Sequence, residues 1–140
     1  MRGHSIAMSA SVLGVLAVAS AAAARSPRIL PGKIDIPVVR GGTLDEQCAG
    51  AEIDPRLDAC VRISTPSVAG QLEAYTRVLR ANRWVHRRPT GDDNVHVYRR
   101  DWPNRTCEGV VIQSITDGAT AYLVFSYEPK EQCAGPRWDQ

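Results

Sequence analysis

The sequence predicts an α+β domain, in which one helix packs on a mainly antiparallel sheet of about four to five strands as a two-layer sandwich. Two observations carry this prediction. Apolar residues between positions 65 and 81 recur with the period of a helix, and the segments around them alternate apolar and polar residues as strands do. An all-β sandwich with one incidental helix is the alternative, and the apolar helical stripe argues against it.

The predicted helix has start and stop signals as well as an apolar face. Thr65 suits the N-cap, and Pro66 suits the first helical position, where its missing N–H costs nothing. Asn82 suits a left-handed cap, so we expect the helix to end near Ala81. The apolar stripe consists of Val68, Leu72, Tyr75 and Leu79.

The remaining elements are predicted as strands joined by turns. Residues 34–39 are extended, but Pro37 cannot donate to a sheet ladder, so this segment is an edge strand or a lead-in. Residues 41–55 have the composition of a loop, and Asp117-Gly118 is typical of a hairpin turn. The predicted strands cover residues 59–63, 84–88, 95–98, 109–115 and 121–127.

The first 24 residues have the three-part pattern of a secretory signal peptide. A basic start at residues 1–4 precedes a largely apolar run and then four alanines, which favour cleavage before Arg25 or one residue earlier. An uncleaved membrane anchor is the alternative, because a spanning helix needs roughly 20 apolar residues. A bacterial lipid anchor is disfavoured, since the first cysteine is Cys48.

This leader defines the expected domain organisation. We expect residues 1–24 to be removed, residues 25–33 to form a flexible arm, and residues 34–140 to form a single disulfide-stapled domain. The mature protein is then periplasmic or secreted and has no transmembrane segment.

The cysteines point to disulfides rather than to a metal or a reactive thiol. Their number is even, as in small exported domains, and of the three pairings we favour Cys48–Cys60 and Cys107–Cys133, because each closes a local loop. Zinc binding and thiol catalysis are the alternatives, but the spacings C-x2-C and H-x3-H are absent. No metal and no cofactor is therefore expected.

The overall charge gives no reason to expect a nucleic-acid partner. The chain has 17 basic and 15 acidic residues, and removal of the leader takes away only Arg2 from the basic ones. The mature net charge of about +1 is too small for a general attraction to nucleic acid.

The chain begins its predicted fold with an extended Ile36-Pro37-Val38 segment. A strand and then the helix follow, with Leu79 and Trp84 at an L-x-x-x-x-W spacing around the end of the helix, and a meander of strands continues to Tyr127. This layout resembles a loose group of small exported bacterial proteins of unknown function. Members of that group often have Gly just before the Trp, whereas this chain has Arg83. The resemblance implies the order of elements and implies no catalytic or ligand residue.

Two histidines, His86 and His96, follow the leader. If their strands pair across the turn at Gly91, the imidazoles lie close together, with Asp92 and Asp93 nearby. A small exported enzyme that uses His86 or His96 as an acid/base group or metal ligand is therefore one hypothesis. Surface histidines beside arginines are the ordinary interpretation, because no ligand motif such as H-E-x-x-H is present.

The strongest pointer toward function is the charge between residues 77 and 105. Eight arginines oppose three aspartates there, and Trp84, Tyr98 and Trp102 are interleaved with them. Guanidinium groups bind carboxylates or phosphates bidentately and stack on aromatic rings. The candidate anion-binding residues are Arg77, Arg80, Arg83, Arg87, Arg88, Arg99, Arg100 and Arg105.

These features favour a non-enzymatic exported module that binds a partner. An anionic polymer, an envelope surface or an acidic protein would suit the arginines. A small inhibitor of a secreted enzyme belongs to the same class of function. The alternative is a solvated, arginine-biased surface whose Trp residues belong to the core.

Overall fold

The computed structural model describes residues 26–87, 93–104 and 106–129. The predicted leader, Arg88, Arg105 and Cys133 lie outside these residues. In chain order the elements are β1 (Arg28–Ile29), β2 (Ile36–Pro37), β3 (Thr43–Leu44), β4 (Asp58–Ser64), α1 (Val68–Ala81), β5 (Val85–Arg87), β6 (Val95–Asp101), β7 (Cys107–Asp117) and β8 (Thr120–Glu128).

Six strands form one antiparallel sheet in the order β3-β4-β8-β7-β6-β5, and β1 pairs with β2 in a separate two-stranded sheet. The prediction of an α+β fold with one helix and an antiparallel sheet is confirmed, but the sheet is larger than predicted. The strand missed in the large sheet is β3, which pairs Thr43 with Arg62 and Leu44 with Val61. Two residues are too few to show an alternating pattern.

Helix α1 packs its apolar stripe against one face of the six-stranded sheet. Tyr75 and Leu79 are fully buried, and the Tyr75 ring meets Phe125 of β8 edge-to-face at 4.9 Å between centroids. The Tyr75 hydroxyl also accepts a hydrogen bond from the Val39 N–H at 3.0 Å. The helix stripe predicted from the sequence therefore forms the centre of the core, although Val68 and Leu72 are only partly buried.

The start of the helix differs from the prediction. A single 3-10 turn over Thr65–Ser67 precedes α1, and it carries Pro66 in its first turn. The Thr65 hydroxyl donates to the Gly118 carbonyl at 2.6 Å, so the prediction that Thr65 caps the helix is wrong. Thr65 instead ties the start of the helix to the β7–β8 turn, and its own N–H donates to the Ala119 carbonyl.

Part of the segment expected to be a flexible arm is folded onto the core. Ile29 of β1 pairs with Ile36 of β2, and both side chains are fully buried. The Arg28 guanidinium donates to the Asp35 carboxylate and to its backbone carbonyl. Burial of two large aliphatic side chains, each favourable by about 1.5–3 kcal/mol, holds this segment in place.

The predicted Cys48–Cys60 disulfide is present, with 5.6 Å between the Cα atoms. It joins the 3-10 turn Cys48–Gly50 to the middle of β4 and closes a local loop. Cys107 is disulfide-bonded as well, whereas its predicted partner Cys133 lies outside the described residues. Among the residues that the structure describes, no helix combines the length and the apolar character needed to cross a membrane.

Removal of the Cys48–Cys60 bond should destabilise the domain without unfolding it. A disulfide that closes a loop of this length constrains the unfolded chain, so Cys48→Ala/Cys60→Ala should lose about 3 kcal/mol of unfolding free energy. Urea denaturation followed by tryptophan fluorescence measures this loss. A loss below about 0.5 kcal/mol would show that the loop is held by other contacts.

Candidate functional site

The predicted histidines and three of the predicted arginines, Arg80, Arg83 and Arg100, lie where β5 and β6 run beside the end of α1. His86 of β5 is the cross-strand partner of Tyr98 in β6, and Arg100 is the partner of Glu108 in β7. Because side chains alternate along a strand, these four residues share the face that the helix covers. Arg87 and Arg99 lie on the opposite face.

Glu108 is the charged centre of this region, and it is only 6% exposed. One carboxylate oxygen accepts hydrogen bonds from Arg100 at 2.9 and 3.1 Å and from the Trp102 indole N–H at 2.7 Å. The other oxygen accepts from the Tyr127 hydroxyl at 2.6 Å. Both oxygens are thus satisfied, which is the condition under which a buried carboxylate is stable.

The protonation equilibria follow from this geometry. Burial alone would raise the pKa of Glu108, but the hydrogen bonds from Tyr127, Trp102 and Arg100 outweigh it and hold the pKa below its ordinary value. The pKa of the Tyr127 hydroxyl is strongly raised by burial and by its hydrogen bond to the Glu108 carboxylate. Glu108 is therefore charged and Tyr127 is neutral at physiological pH, as a structural anchor requires.

Arginine and tryptophan side chains alternate outward from this anchor. The Arg100 guanidinium lies 4.3 Å from the centroid of the buried Trp84 ring and 5.1 Å from that of Trp102. The exposed Arg83 follows, with its guanidinium 5.6 Å from the Trp102 ring. Such cation–π contacts contribute about 0.5–2 kcal/mol each. We call these four residues the Arg–Trp stack.

Arg83 has an unfavourable backbone conformation, with φ of +68°. The Trp84 N–H donates to the Leu79 carbonyl and the Arg83 N–H to the Arg80 carbonyl, which is the hydrogen-bond pattern of a left-handed helix end. Asn82 has φ of −101°, so the prediction that Asn82 is the left-handed residue is wrong, although the helix ends at Ala81 as predicted. Glycine is the residue that adopts this conformation without cost.

The arginines do not form one continuous face. Among the described arginines, ion pairs join Arg77 to Glu73 at 2.9 Å, Arg99 to Asp101 at 2.7 Å, and Arg100 to Glu108. Arg80 and Arg83 are exposed on the helix side, and neither forms an ion pair with another described residue. Arg88 and Arg105 lie outside the described residues. We call Arg80, Arg83 and the neighbouring Trp102 the helix-end surface.

The two histidines lie close together, as the strand pairing predicts. Their rings stack at 5.6 Å between centroids, and His86 also stacks on Tyr98 at 4.9 Å. Burial lowers the pKa of His86, and the nearby charges of His96 and Arg80 lower it further. Within the described ranges neither imidazole hydrogen-bonds to an acid or a hydroxyl, and no group of three or more metal-ligating side chains occurs.

Sequence reasoning missed Glu108 and Tyr127. The signal for Glu108 is its position in β7, because it lies on the same face as Val110 and Ile112, which are fully buried on the helix side. A carboxylate in the buried phase of a strand requires a cationic partner. The partner itself could be found only from the register that places Arg100 opposite Glu108.

Comparison of this chain with protein-family models, with curated proteins and with solved structures found no match.

The Glu108 anchor makes stability depend on pH. Glu108→Gln should cost about 2 kcal/mol at pH 7, because a charged acceptor of several hydrogen bonds is lost. Folding lowers the pKa of Glu108, so the charged carboxylate stabilises the folded state fully above pH 4.5, the ordinary pKa of a glutamate. This stabilisation is lost as the pH falls from there through the lower pKa of the folded protein. The unfolding free energy of the wild type should therefore fall more steeply below pH 5 than that of the variant.

Glu73→Gln is the matched control for this experiment. It removes the same charge from an exposed pair with Arg77, so it should cost less than about 0.5 kcal/mol and leave the pH dependence unchanged. Parallel pH profiles for the wild type and Glu108→Gln would contradict the role given to Glu108.

The conformation of Arg83 predicts an order of stability among its variants. Arg83→Gly and Arg83→Ser lose the same contact with Trp102, but only glycine relieves the left-handed backbone. Arg83→Gly should therefore be more stable than Arg83→Ser by about 1 kcal/mol. Chemical denaturation of the two variants measures the difference, and equal stability would argue against strain at this position.

Proposed function

We propose that this chain is an exported, non-enzymatic binding domain that contacts an anionic partner through its helix-end surface. The leader pattern of residues 1–24 supports export. The Cys48–Cys60 disulfide is compatible with an oxidising compartment, the periplasm or the exterior, where such bonds persist.

The observation that carries the binding function is Arg83. An exposed arginine occupies a position with φ of +68°, where glycine would cost less, and its guanidinium lies against Trp102. Residues kept in a costly conformation concentrate at functional sites. The Arg–Trp stack holds the guanidinium on a rigid support, which reduces the entropy lost when a carboxylate, phosphate or sulfate binds to it.

Arg80 adds a second positive charge to the same surface. It is exposed on the last turn of α1, and its charge contributes to lowering the pKa of His86 nearby. Two guanidinium groups at one end of a helix attract polyanions in a salt-dependent manner. The arginines that are already in ion pairs are expected to contribute little, because their charge is locally balanced.

An enzyme that uses His86 or His96 is the second candidate, and it has less support. The lowered pKa of His86 gives a neutral imidazole at pH 7, as a general base requires. However, a base also needs an orienting partner, and the stacked rings of His86, His96 and Tyr98 supply contacts between aromatic faces instead.

The binding proposal predicts selective loss of affinity for anionic surfaces. Arg80→Ser/Arg83→Ser should elute from a sulfonate resin at lower salt than the wild type at pH 7. Lys33→Ser/Arg40→Ser is the matched control, because it removes two positive charges outside the helix end, neither of them in an ion pair with another described residue, and gives the same net charge. The proposal requires a clearly larger shift for the first pair than for the second, and equal shifts would contradict it.

A further inference from the structure

A cleft of about 630 Å³ opens at the end of the molecule formed by the β1–β2 sheet and the start of β4. We propose that this cleft is a binding site for a small apolar molecule that carries one positive charge, held by apolar walls beneath a rim of carboxylates. Its volume lies within the range of small-ligand sites. The site is separate from the helix-end surface and does not depend on the function proposed for it.

The walls of the cleft are apolar and come from three segments. The β1–β2 connection, strand β3 and the loop closed by the Cys48–Cys60 disulfide each contribute to them. Leu44 is 38% exposed, so a large aliphatic side chain is left in contact with water at the mouth of the cleft. The apolar lining consists of Leu30, Pro31, Leu44, Ile53, Pro55 and Ala59.

The rim of the cleft is negatively charged. Asp45, Glu46 and Asp58 line it together with a single cation, Arg28. The charge of Arg28 is balanced by Asp35, and Asp45 is paired with Arg62 at 3.9 Å. Glu46 and Asp58 therefore remain as the rim carboxylates without an ion pair to another described residue. A cationic ligand is therefore favoured over a neutral or anionic one.

The three carboxylates have different tasks. Asp45 accepts hydrogen bonds from the Gln47 and Cys48 N–H groups, and Asp58 accepts one from the Asp54 N–H, so both organise the loop. Glu46 is exposed and makes no hydrogen bond or ion pair with another described residue. Glu46 is thus the carboxylate with the most freedom to turn toward a bound cation.

Backbone strain is concentrated around this cleft. Of the five non-glycine residues with positive φ in the described ranges, only Arg83 lies elsewhere. Leu30 lines the cleft, Asp35 binds Arg28 of its rim, and Cys48 and Ala49 belong to the loop that forms its wall. Such a concentration is typical of a site whose shape is imposed by function.

Three probes test the charge preference of the cleft. They share a phenylalkyl group and differ in their charge at pH 7: 4-phenylbutylamine is cationic, 4-phenylbutanol is neutral and 4-phenylbutyrate is anionic. In nitrogen-15 NMR titrations of the oxidised protein at pH 7, the amine should shift amides of the lining residues with a dissociation constant on the order of 1 mM. It should bind about threefold more tightly than the alcohol, and the acid should bind more weakly than both. Equal affinities, or shifts confined to other regions, would overturn the proposal.

Glu46→Gln isolates the contribution of the rim. Because Glu46 is exposed, the variant should fold normally and should lower the affinity for the amine about threefold while leaving the alcohol unchanged. Glu52→Gln makes the same charge change in the same loop outside the lining and should alter neither affinity. Ile53→Arg places a cation within the cleft and should abolish amine binding, and retained binding in this variant would overturn the site.

Discussion

The buried contact between Glu108 and Arg100 is the interaction on which the geometry of the helix end depends. Arg100 reaches Glu108 in β7, the Asn82 carbonyl after the helix and the faces of Trp84 and Trp102. A buried ion pair contributes little net stability compared with apolar residues of similar size, but removal of one partner leaves an uncompensated charge. The pair therefore fixes where the helix end lies relative to the sheet more than it adds to the overall stability.

The periodic spacing of apolar residues was sufficient to predict the helix and the long strands that bury one face against the core. The helix stripe at Tyr75 and Leu79 and the β7–β8 hairpin follow from it. It was not sufficient for β1, because Ile29 lies between two prolines and is buried only through tertiary contact with Ile36. The candidate site was predictable as a set of residue types, but the pairing of Arg100 with Glu108 required the register of β6 on β7.

Among the residues that the structure describes, two regions hold non-glycine residues in left-handed conformations, and they lie at different places in the fold. At the helix end, Arg83 is supported by a stack of aromatic and cationic side chains. At the cleft, a disulfide and the ion pair between Arg28 and Asp35 support the walls. In both regions, contacts between side chains compensate for the cost of the backbone conformation and hold the surface in one shape.

The position of β8 in the sheet has a consequence for how the chain acquires its structure. This last described strand lies between β7 and β4, and its pairing with β4 joins residues as far apart in sequence as Asp58 and Ser126. Loop closure over such a distance is slow compared with formation of the neighbouring hairpin, so β5–β8 can assemble before β3 and β4 dock. A chain synthesised from its N-terminus therefore cannot complete the six-stranded sheet until β8 has emerged.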